Sequence, residues 1–169
     1  MFVFDATPLI YLAKVDRLDI LTQLHGDRLI PERVATEVVT AGLDAGYPDA
    51  RRIDHRIEAG DFDVVPAPET TLWDRLAENP NLSGADAAVL TLAADRDATA
   101  VMDEAYGRDV AEVEGINTRG TVYLLLSLVR DDKLSAAAAR ATFEAILEEG
   151  WYCQPDLYAT VLSKLDELS

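Results

Sequence analysis

Twice along the chain a very short apolar run ends in a carboxylate and gives way at once to a helical pattern. The first is MFVFDATPLIY, where Phe2-Val3-Phe4 precede Asp5, and Thr7 and Pro8 offer a helix N-cap and a first helical residue. The second is Ala98–Met102, followed by Asp103-Glu104. Runs this short make buried strands and little else. Buried strands that alternate with helices pack as one parallel sheet covered by those helices. If the two strands lie side by side, Asp5 and Asp103 meet at the carboxyl ends of the strands, where open α/β sheets bind ligands.

The rest of the chain keeps the same alternation. Helical spacing covers Leu9–Ala13 and Leu18–Leu24, and Arg28-Leu29-Ile30 is a short strand stopped by Pro31. Glu32–Ala41 is a helix with Val34, Val38 and Ala41 on one face, followed by a loop from Gly42 to Pro48. Asp49–Ala59 is a charged helix, Phe62–Val65 a strand, Thr70–Ala77 a short helix, and Ser83 opens a well-marked helix to about Asp95. After Ala98–Met102 come a helix over Glu104–Val113, a strand at Ile116-Asn117-Thr118 and an apolar helix over Thr121–Arg130. Two more helices, Ser135–Leu147 and Pro155–Leu168, close the sequence. No linker or repeat interrupts the chain, so residues 1–169 read as a single domain, with a C-terminal helical extension at about 135–169.

Composition narrows the class. Fifteen basic residues face 31 acidic ones, a net charge of −16, and the acids are scattered rather than massed in a tail. Such self-repulsion disfavours the compact state in low salt and is screened in high salt, which points to a halophilic host. In molar salt the Debye length falls to about 3 Å, so global charge does not exclude a nucleic-acid substrate. Cys153 is the only cysteine, which excludes a disulfide framework and a thiolate metal cluster. No apolar run reaches the roughly 18 residues of a membrane span, and Met1 leads straight into a strand, so a cytoplasmic protein is expected.

The chemistry rests on carboxylates. Asp5 and Asp103 end strands. Glu37 lies beside the apolar stripe of its helix, where it is either a site residue or a helix-edge glutamate whose stem covers apolar surface. Asp86 stands three residues after Ser83, as in a capping box, yet aligns with Val89, Leu90 and Ala93 on the sheet-facing side. Glu104 reads as a helix-start acid. Carboxylates gathered on one rim repel, and hard divalent ions such as Mg²⁺ or Mn²⁺ relieve that repulsion. Such a site activates water for phosphodiester hydrolysis. His25 and His55 have no metal-binding spacing, and no HExxH, GxGxxG or Walker A motif is present.

DATPLIYLAK, a glutamate about thirty residues later, DAAVLTLAAD, and AVMDE after a strand together resemble a PIN domain, and most closely the VapC-like toxins of archaea and bacteria. The later stretch DEAYGRDVAEVEGINTRGTVYLLLSLV follows the same pattern, so the resemblance covers nearly the whole chain. It implies an α/β/α sandwich with a parallel sheet of about five short strands. It also implies a haloarchaeal-type ribonuclease that uses Mg²⁺ or Mn²⁺ and leaves a 5′-phosphate and a 3′-hydroxyl. The family's acidic quartet carries over to Asp5, Glu37, Asp86 and Asp103, with Asp5, Asp86 and Asp103 on the principal metal and Glu37 completing the site. The family's supporting hydroxyls match Thr7 and either Thr118 or Thr121. Close relatives often place the third acid directly after the glycine, whereas Ala85 separates Gly84 from Asp86 here.

The resemblance also implies an RNA substrate, a cognate antitoxin and a homodimer, for which Leu157, Tyr158, Val161 and Leu165 offer an apolar stripe. That stripe serves equally to pack the last helix on its own domain. RNA contact would fall to Arg51, Arg52 and Arg56 on one helix and to Arg108 and Arg119 near the rim, if ion pairs with nearby acids do not occupy them. A second reading keeps the fold without catalysis, as a nucleic-acid- or protein-binding module. A third, a phosphate-transfer domain of the receiver or haloacid-dehalogenase type, wants a lysine at the end of a later strand, and Lys14, Lys133 and Lys164 do not sit there.

Overall fold

The computed structural model describes residues 1–169. Strand β1 (Phe2–Phe4) leads into α1 (Ala6–Lys14), a 3-10 segment (Leu18–Gln23) and β2 (Arg28–Pro31). Helix α2 (Glu32–Ala35) runs without a break through a π-helical stretch (Thr36–Ala41) into α3 (Gly42–Asp44). Then follow α4 (Pro48–Glu58), β3 (Asp63–Val65), α5 (Thr71–Ala77), α6 (Gly84–Arg96), β4 (Thr99–Val101) and α7 (Ala105–Val113). The chain ends with β5 (Thr118–Arg119), α8 (Thr121–Arg130), α9 (Ala136–Glu148) and α10 (Pro155–Glu167).

The five strands are all parallel, in the order β3-β2-β1-β4-β5, and helices flank them, giving the expected α/β/α fold. From central β1 the chain winds outward through β2 and β3, then crosses back to start β4 on the other side of β1. The carboxyl ends of β1 and β4 therefore border the topological switch point, where such sheets open a crevice. Phe2 pairs with Thr99 and Phe4 with Val101, and the Asp5 amide donates to the Val101 carbonyl at 3.0 Å. That register brings the residues just after each strand to one rim. Beneath it, Val3, Phe4, Ile30, Leu90, Val101 and Met102 are buried in a core of 38 side chains.

Four local details differ from the sequence pattern. Helix α1 starts at Ala6 with Asp5 as its N-cap, so Thr7 and Pro8 lie inside the first turn rather than at the cap. Proline is tolerated there because first-turn amides have no intrahelical acceptor. Leu18–Gln23 is a 3-10 turn rather than an α-helix, and the last strand is Thr118–Arg119 rather than starting at Ile116. Gly42 does not open a loop, because α3 continues through it. A Cβ at Gly42 would stand 2.5 Å from the Ala50 Cβ, so this glycine lets α3 pack closely on α4.

The C-terminal helices pack on the core. Val161 and Leu165 of α10 are buried among α8 and α9, while Leu157 and Tyr158 from the same stripe remain exposed. Tyr158 stacks on Phe143 with ring centroids 5.8 Å apart. No helix is long and apolar enough to cross a membrane.

Candidate acidic site at the switch point

Asp5 sits at the centre of the rim. It is only 5% exposed, and its side chain makes no capping hydrogen bond. Burial, and then repulsion from Asp86, Glu37 and Asp103, push its carboxyl up to about 7 from 3.8, against help from the Ala6 amide alone. It takes part in no salt bridge. A carboxyl buried among like charges, with no cation opposite, is costly to ionise.

Asp86 occupies both of the roles open to it. The Ser83 amide donates to its Oδ2 at 3.0 Å while the Asp86 amide donates to Ser83 Oγ at 3.0 Å, which completes a capping box at the start of α6. It is nevertheless 8% exposed and is the strongest charged neighbour of Asp5. A side chain in the first helical turn can serve the cap with one oxygen and present the other toward the sheet. Glu37 belongs to the π-helical stretch, with Val34 and Val38 buried on either side of it while its own side chain is exposed. Wide π turns are rare and often occur at functional sites.

Asp103, half-buried after β4, is held on three sides. The Thr121 amide donates to Oδ1 at 2.7 Å, the Thr121 hydroxyl to Oδ2 at 2.8 Å, and the Trp151 indole N–H to Oδ2 at 3.1 Å. Gly120 presses so close that a Cβ there would lie 3.0 Å from Oδ1.

The four acids therefore share a neighbourhood without forming a cage. No group of three or more histidine, cysteine or acidic side chains is arranged to hold a metal ion directly. The physical reason lies in the partners: Asp86 and Asp103 are tied to protein donors, and Glu37 lies at the surface. Coulomb repulsion reaches farther than a ligand bond, so Asp5 still feels all three. The donor set suits a hard divalent ion that keeps part of its water shell, as Mg²⁺ does, because it is all carboxylate oxygen.

A groove of about 980 Å³ opens beside this rim. Thr7, Asp103, Arg108, Thr118 and Arg119 line it together with the apolar surfaces of Tyr11, Trp151 and Leu157. The two rim arginines are thus placed where the sequence put them, and Arg119 also lies over the Tyr123 ring at 4.6 Å. The three arginines of α4 are not at the rim. Arg52 donates to the Ala13 and Lys14 carbonyls at the far end of α1, and Arg56 pairs with Asp61 before β3. Arg51 is exposed on the same helix. Of the hydroxyls, Thr121 rather than Thr118 binds an acid of the rim, because the bond falls at the start of α8 and not within β5. Thr7 is half-buried in the first turn of α1 and lines the groove.

Sequence reasoning missed Gly120 and Trp151. The Gly-Thr pair after β5 is a turn signal that could have flagged the first. Nothing local points from Trp151 to a carboxylate 48 residues earlier. A family model described as a PIN domain matches residues 1–167. No curated protein matches the chain.

Proposed function

The chain belongs to the PIN-domain family, whose members are typically nucleases, and from that premise we propose that it is a metal-dependent endoribonuclease. One observation carries this reading: a carboxyl buried at the switch point and pushed up to about 7, with three acids around it and no salt bridge. Asp5, Asp86 and Asp103 would hold Mg²⁺ or Mn²⁺, in part through water, with Glu37 at the open side. When bound, such an ion supplies charge to the scissile phosphate and acidifies a water molecule. Asp5 would face such an ion as a carboxylate. Asp103, fixed by Thr121 and Trp151, keeps a constant position on the rim. Glu37 orients the attacking water, and Arg108 and Arg119 hold phosphates of the strand along the groove.

In its finer detail we read the chain as a single-domain VapC-like toxin from a haloarchaeal cytoplasm, silenced by a cognate antitoxin. The net charge of −16 supports a saline host. Exposed Leu157 and Tyr158 support a second copy or a protein partner on α10. The other reading, a PIN fold that binds without cutting, draws on the lack of a preassembled three-ligand group.

The test is cleavage of a fluorescent single-stranded RNA by protein prepared in molar KCl, with Mn²⁺ or with EDTA, beside Asp5→Asn. Cleavage that needs the metal and vanishes in the variant supports the nuclease. Cleavage that survives both belongs to another site or another protein. No cleavage and no melting-temperature gain with Mn²⁺ favours the binding module.

A further inference from the structure

We propose that Trp151 is a positioning residue of the acidic site: its indole N–H fixes the Asp103 carboxylate, which makes the α9–α10 hairpin part of the catalytic apparatus. The proposal rests on the reading of the rim as a divalent-cation site.

A buried tryptophan needs an acceptor for its N–H, and most such bonds do no more than satisfy the core. Here the acceptor is not a passing carbonyl. The Trp151 indole donates at 3.1 Å to Oδ2 of Asp103, the same oxygen that the Thr121 hydroxyl reaches at 2.8 Å. The Thr121 amide takes Oδ1 at 2.7 Å. An ionised carboxylate offers about four acceptor positions. Three are filled, and the remaining one is on Oδ1. The network thus selects which oxygen of Asp103 stays available and holds the plane of the carboxylate.

The donor itself is held firmly. Trp151 is 9% exposed, and its ring packs edge-on against Phe143 at 6.3 Å. Its amide donates to the Ile146 carbonyl at 3.1 Å, just after Gly150 closes α9 with a φ of +96°. Glycine takes that left-handed conformation at no cost, so the chain turns sharply and aims the indole at the rim. Without the indole, Oδ2 depends on one hydroxyl, and the carboxylate gains freedom to rotate.

Three variants and one reporter test this. Trp151→Phe keeps a ring against Phe143 and removes the N–H, whereas Trp151→His restores an N–H on a smaller ring. Trp73→Phe leaves Trp151 as the only tryptophan, so its emission reports on Asp103 directly. Loss of an outer partner typically costs about 10- to 100-fold in metal affinity or activity. In Trp151→Phe we expect Mg²⁺ affinity by calorimetry and kcat on RNA each to fall about tenfold, with KM nearly unchanged and partial recovery in Trp151→His. In Trp73→Phe, Mg²⁺ alone should shift the emission, and adding Asp103→Asn should abolish that shift.

The proposal is overturned if Trp151→Phe keeps its Mg²⁺ affinity and kcat within about twofold while only its melting temperature falls. It also falls if Mg²⁺ leaves the emission unmoved in a chain that cleaves RNA. Should the Trp151 variants not fold, the emission of Trp73→Phe still decides. An emission shift in a chain that cuts no RNA would remove the nuclease reading and leave the positioning role standing.

Discussion

Asp5 and Asp103 end adjacent parallel strands on one rim, and their surroundings are opposite. Asp103 receives three donors from β5–α8 and the C-terminal hairpin, on a carboxylate that is half-buried. Asp5 is more deeply buried, faces three acids, is helped by the neighbouring amide and is in no salt bridge. The protein thus spends its hydrogen-bond donors on one carboxylate and leaves the other uncompensated. Fixed charge beside unsatisfied charge is what a cation site needs: one group sets the geometry, and the other supplies affinity that only a positive ligand can realise.

Substitutions on either side of the rim test that contrast. The largest effect is expected from Asp5→Asn. It should lower metal-dependent cleavage by more than about a hundredfold, beyond the usual cost of losing an outer partner. It should also stabilise the metal-free protein at pH 8. The sign follows from the direction of the shift. Asp5 in the folded chain holds its proton up to about 7, against 3.8 for an ordinary aspartate. The folded state therefore binds more protons across that window, and stability contributed by this group is lost as pH rises from about 4 through about 7. At about 1.4 kcal/mol per unit of pKa, the cost above pH 7 is a few kcal/mol. Urea melts at pH 5 and pH 8 should show the wild type losing more stability than Asp5→Asn.

Thr121→Val attacks the other partner of the comparison. It preserves shape, removes the hydroxyl from Oδ2 and leaves the amide bond to Oδ1. A hydrogen bond to a charged group contributes about 1.5–3 kcal/mol, so chemical denaturation should show a loss of that order, opposite in sign to Asp5→Asn.

Ser83→Ala asks whether Asp86 belongs with Asp5 or with its cap. It should cost about 1 kcal/mol of stability through the lost cap. If the capping box also steadies Asp86 on the rim, Mn²⁺ affinity by calorimetry should fall a few-fold with it.

The smallest effects concern the arginines. Arg119→Gln should weaken binding of a non-cleaved RNA a few-fold and flatten its salt dependence by about one phosphate contact. Arg51→Gln, on α4 away from the rim, should leave both unchanged in the same fluorescence-anisotropy titration.

The alternation of short strands and helices was enough to read the sheet, because buried parallel strands need near-continuous apolar runs and their helices carry their own periodicity. FVFD and AVMD were legible for the same reason: each carboxylate marks the end of a run. Asp86 was legible as a capping-box acid on the inward side of its helix, and it is capped and buried. What could not be read was the contrast between the acids. It depends on Thr121 and Trp151, which reach Asp103 from 18 and 48 residues away. The π-helical turn at Glu37 was hidden as well, since its residues would suit an ordinary α-helix. The arginines of α4 could be read as sharing one helix but not placed relative to the rim, because helical spacing does not say which end of the sheet a face meets.

The most direct test of the account is the change in melting temperature on adding Mn²⁺ at pH 8, measured side by side for the wild type and Asp5→Asn in molar KCl. The account predicts a gain of several degrees in the wild type, as expected for a ligand that binds only the folded state, and almost none in Asp5→Asn. An equal gain in both, or none in either, would contradict the claim that the uncompensated charge of Asp5 is what draws a cation to this rim.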